Sequence, residues 1–423
     1  MNNIPPAEVD PQVVPQRHIG RHYLHAPGYP GALLTLGDFE DYERSNNLQA
    51  LCNNDPIAAQ KLAYKLIHHC RLSTIVLKQL RQKYLKSFSK VQWRDVVEYF
   101  RPNLVGPYDD HRSIPGYRLK RARLPMSVFK DICAQLDASR MTLGDRENLE
   151  TEAAVQLKYN PIPSTLLTLF GGRLTNIPER KLVGQLGNSG RCEFTISFHN
   201  LLVLCFVEYK QGLRHGPDVY SDIVAQVIAE MDGADTHNQS GEMDGICIHA
   251  ILTDGVTFEF FKANFKHWTM HRGLGYLDEG VPYDGGYRIS LPDAERAVDY
   301  LAKLKVVVEI IFDTFLTSFV EGIAAQKARS ERHQRNWEDH LGRGFLRRKS
   351  NSFWEFAESE AVEAQTKLHA AHRYRLINPH EADELAQIGL RHLTQSVLSI
   401  PTPGLDWTFL DNWDQRAEAL MRV

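Results

Sequence analysis

The chain has 423 residues, with 49 Lys+Arg against 52 Asp+Glu and a formal charge of −3. Hydrophobic residues make up 43% and charged residues 24%, which excludes a wholly disordered chain and a strongly basic, histone-like polymer. The length fits two or three units rather than one small core. Six cysteines, Cys52, Cys70, Cys133, Cys192, Cys205 and Cys247, include no CxxC pair. Their scatter argues against a disulfide framework and a structural zinc site, and points to a reducing intracellular compartment, nuclear or cytoplasmic.

Residues 1–45 are expected to form a Pro-rich arm, because Pro5, Pro6, Pro11, Pro15, Pro27 and Pro30 interrupt any helix. The opening MNNIPPAEVDPQVVPQ is polar and reads as no secretory signal. Residues 46–165 are expected to be a helical N-terminal region. A helix opens at Asp55 as N-cap with Pro56 behind it. VQWRDVVEYF forms a short helix that Pro102 ends, and LPMSVFKDICAQLDASRM forms another.

Residues 166–290 change character. KLVGQL, RCEFTISF and LLVLCFVEYK are short and rich in strand-favouring residues. Asn188-Ser189-Gly190 and His199-Asn200 separate them, so they read as a meander of hairpins. PDVYSDIVAQVIAEM follows with helical spacing. GICIHAIL and TFEFFKANF are two further strands, turned at Thr253-Asp254-Gly255. The glycine-rich stretch 273–287 reads as a loop. Residues 291–423 are expected to be a helical C-terminal region. Its first part, PDAERAVDYLAKLKVVVEIIFDTFLTSFVEGIAAQKARSERHQRNWEDHL, reads as more than one helix, and WEFAESEAVEAQTKLHAAHRYRL reads as another. The apolar stretch 306–325 carries Glu309, Asp313 and Glu321, so it reads as a buried helix and not as a membrane span.

The chemistry gathers at Val207-Glu208-Tyr209-Lys210. Side chains alternate along a strand, so Glu208 and Lys210 share a face. If the chain reverses near His199-Asn200, Glu193 comes opposite Glu208, about 4.5–5.5 Å away at Cβ. Two carboxylates that close repel unless a cation lies between them. Lys210 serves in part, and Mg²⁺ serves better because it takes carboxylate oxygens and leaves positions for a phosphate. A slip of one residue in register would turn one acid to the wrong face. On the following helix, Asp222, Gln226 and Glu230 stand four apart and share a face. Asp222 and Glu230 fit a solvent-facing polar stripe, and Gln226 sits at its boundary with the apolar side.

This order of acid strand, Glu-x-Lys strand, Gln helix and paired strands resembles the PD-(D/E)XK nuclease superfamily, in particular its fungal branch. The likeness is carried by Gly190-Arg191-Cys192-Glu193-Phe194, Val207-Glu208-Tyr209-Lys210, Ala225-Gln226-Val227-Ile228-Ala229-Glu230-Met231 and Ile251-Leu252-Thr253-Asp254-Gly255, over roughly residues 170–265. It implies an α+β fold, with a central mixed β-sheet of restriction-endonuclease-like type between helical flanks. It also implies hydrolysis of phosphodiester bonds in DNA or RNA with Mg²⁺ (or Mn²⁺). Glu193 and Glu208 would hold the metal, with the Tyr209 carbonyl as a further ligand; Lys210 would act on water or phosphate, and Gln226 would stand beside the site. The family usually carries Asp where this chain has Glu193, a side chain longer by one methylene. An upstream helix acid is also common, and Glu150, Glu152 and Glu179 are the candidates. Two alternatives remain open: a catalytically inactive relative that binds nucleic acid or a protein, and a helical interaction scaffold.

Two basic clusters are candidates for nucleic-acid contact: Arg118, Lys120, Arg121 and Arg123, and then Arg347, Arg348 and Lys349. Tyr117, Trp337 and Phe345 lie among them as stacking candidates.

Overall fold

The computed structural model describes residues 86–106, 110–144, 151–187, 190–199, 202–210, 213, 217–243, 245–276, 282–283, 287–288, 297–341 and 352–400. All of them fall within the unit Tyr84–Val423. The expected arm over 1–45, the helix opening at Asp55, and residues Glu150, Phe345, Arg347, Arg348 and Lys349 lie outside the described residues, as does the side chain of Trp337.

In chain order the elements are α1 (Trp93–Phe100), β1 (Gly116–Arg118), α2 (Met126–Leu143), α3 (Glu152–Tyr159), α4 (Pro161–Thr168), β2 (Leu174–Leu182), β3 (Gly190–Phe198), β4 (Leu202–Tyr209), α5 (Pro217–Ser240), β5 (Ile248–Thr253), β6 (Thr257–Asn264), β7 (Thr269–Tyr276), α6 (Ala297–Leu341), α7 (Ser352–Tyr374) and α8 (Pro379–Ser399). The strands form an open mixed sheet in the order β1-β7-β6-β5-β4-β3-β2. The meander β2-β3-β4 is antiparallel, and α5 is the crossover that lets β5 lie parallel to β4. The fold is therefore α+β with helices flanking the sheet.

Alternation along β5 shows how the two faces are used. Ala250 and Leu252 pack under α5 with Val224, Val227 and Ile228. Ile251 belongs to the opposite core, which Phe312, Phe315 and Phe319 of α6 cover. A sheet buried on both faces reads as continuous apolar runs, and that is why GICIHAIL and TFEFFKANF were legible.

Several expectations need correction. The strand expected at 181–186 instead runs over Leu174–Leu182. It is the sheet edge, the place in a sheet where a proline such as Pro178 is tolerated. The loop expected from 273 begins inside β7. Gly273 leaves room there for the Leu119 side chain, which a Cβ would meet at 2.7 Å. Residues 297–341 form one helix and not several, because no proline interrupts them. Its buried Glu309 and Asp313 are matched by Arg121 and His369. Among the described residues no helix is long and apolar enough to cross a membrane.

The β5–β6 turn fixes α3. Asp254 accepts from the N–H groups of Val256 (3.0 Å) and Thr257 (2.7 Å). Gly255 has φ +82°, and a Cβ there would lie 2.0 Å from Tyr159 Cε2. Gly255→Ala is expected to cost about 2–3 kcal/mol of unfolding free energy, from left-handed strain plus overpacking. Urea denaturation measures it, and a loss below about 1 kcal/mol would mean that Tyr159 moves aside freely.

Candidate functional site

The site forms where β4 leaves the sheet. Pairing of β4 with β5 continues past the last strand residue, since the Lys210 N–H donates to the Thr253 carbonyl at 2.9 Å. Lys210 is thereby held by the backbone before its side chain is considered. Across the sheet, Phe194 pairs with Val207, and one step further along that register brings Glu193 to Glu208.

Glu208 is 2% exposed. Its Oε1 accepts from Lys210 Nζ at 2.8 Å and from Gln226 Nε2 at 2.9 Å. Glu193 Oε2 accepts from the Tyr209 N–H at 2.8 Å. The Tyr209 ring is buried in the core, so any role for this residue falls to its main chain. Glu193, Glu208, Lys210 and Gln226 thus share one corner.

Of the upstream acids, Glu152 reaches this corner. It opens α3 just after Thr151, whose side chain caps the helix by accepting from the Ala154 N–H. Glu152 Oε1 lies 3.5 Å from Lys210 Nζ. Glu179 is exposed and stands 3.7 Å from Arg191 instead.

Glu230 overturns its expected place in a solvent-facing stripe. It is 0% exposed, and its Oε1 accepts from the same Gln226 Nε2 at 2.9 Å. Helical spacing gives the angle between residues but not which faces neighbours cover. Here Val224, Ala225, Val227, Ile228 and Ala229 are all buried, so the polar row points inward. Asp222 is engaged as well, accepting from the Trp93 N–H at 2.9 Å at the start of α1.

Burial and mutual repulsion dominate the electrostatics. Burial, then Glu208, pushes the Glu193 carboxyl up to about 8. Burial raises Glu208 against the pull of Lys210. Burial and then Glu208 carry Glu230 well above the carboxylate range. For Lys210, burial alone would lower the pKa, but Glu208 outweighs it and the amine stays charged. Two buried oxygens, Glu208 Oε2 and Glu230 Oε2, have no hydrogen-bond partner among the described residues.

These shifts set a pH dependence. Glu193 binds a proton more tightly folded than unfolded, so its contribution is present below its ordinary 4.5 and is lost as pH rises through about 8. His199 and His372 act oppositely. Burial first holds them at about 4 and about 3, against an ordinary 6.5. Their contribution is present above 6.5 and lost as pH falls. Between pH 6.5 and 8 the carboxyl effect acts without that opposition, so with chelator present the thermal midpoint is expected to fall over this range. A flat or rising midpoint would contradict the charge state assigned to the site.

Among the described residues, no group of three or more His, Cys, Asp or Glu side chains is placed to hold a metal ion. The basic cluster divides. Arg118 and Lys120 are exposed. Arg121 is bound to Glu309 and Arg123 to Asp383, each at 2.7 Å. Tyr117 lies under Lys262 Nζ, 4.5 Å from its ring centroid.

No family model matches the chain, and no curated protein matches it. Among solved structures, the cryo-EM structure of a DrdV–DNA complex is similar at a TM-score of 0.25 and 12% sequence identity, over 66% of this chain. The match spans 24% of that neighbour's length. A TM-score this low does not establish a shared fold, and the α+β description rests on the chain's own sheet.

Proposed function

We propose that this chain is a nuclease-like phosphodiesterase of restriction-endonuclease-like fold that acts on DNA or RNA and depends on Mg²⁺ or Mn²⁺. The observation that carries this reading is the seating of Lys210 and Gln226 on buried Glu208, with Glu193 one register step away. The donor set fits a hard cation: it consists of carboxylate oxygens, and one of them, Glu208 Oε2, is buried without a partner. Mg²⁺ needs only one or two carboxylates and keeps several waters, so two carboxylates and a carbonyl suffice for it. Glu193 and Glu208 would hold the ion, together with the Tyr209 carbonyl. When bound, the ion supplies Lewis-acid polarisation of the phosphate and a more acidic water.

The protein's own groups have distinct tasks. Lys210, charged and part-exposed, offsets negative charge on the phosphate as the bond breaks. Gln226 fixes the orientation of Glu208 by donating to it. Glu152 balances Lys210 at the mouth of the site. Free Cys133, Cys192 and Cys247 fit an intracellular setting, nuclear or cytoplasmic.

The test is incubation with labelled single- and double-stranded DNA and RNA in Mg²⁺, Mn²⁺ or EDTA. Cleavage that requires the divalent ion is expected. Tight binding without cleavage in any metal would assign an inactive nucleic-acid-binding relative. That outcome has one observation in its favour, the longer Glu193 side chain turned onto the Tyr209 N–H.

A further inference from the structure

Glu230 lies within the helix phrase that carries the resemblance but is given no role by it, yet it is the most deeply buried acid of the site. The two hydrogens of Gln226 Nε2 go to two carboxylates, Glu208 Oε1 and Glu230 Oε1, each at 2.9 Å. Each of those carboxylates keeps its second oxygen buried and facing no N–H or O–H donor among the described residues, and the two carboxyls stand within hydrogen-bond reach of each other. A carboxyl kept only for packing would cost free energy here. Its free oxygen forfeits a hydrogen bond, and a buried charge without a counter-ion is worse. Lys210 is the ammonium felt by Glu193, Glu208 and Glu230 alike, and its nearest oxygens are those of Glu208 and Glu152. With Glu152, four acids stand about this one ammonium, so when they are ionised the corner carries an excess of negative charge that a divalent ion would offset.

We infer that Glu230 belongs to the cation centre: linked to Glu208 through the shared Gln226 amide, it supplies the further negative charge that draws a divalent ion to the end of β4. It need not touch the ion. Like charges a few ångströms away in a low-dielectric interior act strongly on a cation at the neighbouring carboxylate. Glu230 is thus an affinity-setting residue, and this assignment rests on the cation-dependent reading above.

The experiment is Mn²⁺ titration by calorimetry on the full chain, wild type against Glu230→Gln, with thermal melting in EDTA and in Mn²⁺. Gln keeps the volume and one acceptor oxygen for Gln226 and removes the charge. The expected result is at least about tenfold weaker Mn²⁺ binding, equivalent to about 1.4 kcal/mol. The EDTA midpoint should equal or exceed that of wild type, and the rise in midpoint on adding Mn²⁺ should shrink. Glu230→Asp, which keeps the charge, should bind Mn²⁺ more tightly than Glu230→Gln. Equal Mn²⁺ affinity in wild type and Glu230→Gln would overturn the inference and leave the cation-dependent reading standing. So would a Glu230→Gln protein that is unfolded or melts lower in EDTA, because the carboxyl would then serve the fold. A wild-type protein that binds no Mn²⁺ would overturn both.

Discussion

Replacing Lys210 by alanine is expected to lower divalent-dependent cleavage by about 100- to 1,000-fold, the usual cost of losing one preorganised group that stabilises transition-state charge. The side chain is well placed for that work. Its Nζ is anchored on Glu208 at 2.8 Å, its backbone is pinned to Thr253, and its amine remains charged. The fold should survive the change. Glu208, already raised by burial, can take up a proton once its ammonium is gone, and Gln226 still donates to it. Cleavage rates and thermal melts measured in parallel separate the two effects. Lys210→Arg should restore little, because a planar guanidinium does not replace a compact ammonium in a tight corner. A Lys210→Ala protein that cleaves within a few-fold of wild type would remove Lys210 from the chemistry.

The part of the site lying on adjacent strands was legible in outline in the sequence. Side-chain period and a reversal near His199 suggest Glu193 against Glu208. The hairpin closes on Phe198–Leu202, however, and it takes a one-residue register shift between Ile196 and Ser197, not readable in the sequence, to pair Phe194 with Val207 and bring Glu193 to Glu208. What was missed depends on partners distant in sequence. Glu230 looks like a solvated residue until the sheet and α1 cover the rest of α5. Arg121 and Arg123 look like a basic patch because their acids stand 188 and 260 residues away. β2 carries Pro178, Arg180 and Lys181 and lacks strand propensity, so pairing with β3 makes it a strand. α8 was also missed, for a different reason: its start signal, Asn378 before Pro379, is local and went unread, and in the structure the Asn378 side chain accepts from the Glu381 N–H.

Arg121→Ala is expected to destabilise the protein by about 3–5 kcal/mol, the cost of removing one partner from a buried ion pair. Glu309 is 1% exposed, and its Oε2 takes both Nε (3.2 Å) and an Nη (2.7 Å) of Arg121. Its other oxygen has no hydrogen-bond partner among the described residues. His372 Nδ1 lies 4.0 Å from Glu309 but is held neutral, first by burial and then by Arg121 itself. Losing Arg121 therefore eases protonation of His372, and the deficit should narrow in acid. Urea titrations at neutral and acidic pH measure this. Adding Glu309→Gln should recover part of the loss, which a double-mutant cycle quantifies. Lys120, adjacent in sequence and exposed, supplies the contrast. Lys120→Ala should change stability by no more than about 0.5 kcal/mol, so any loss of nucleic-acid affinity in that variant reports contact. If Arg121→Ala instead keeps its stability and loses only nucleic-acid binding, the guanidinium serves the ligand and the Glu309 pairing is incidental.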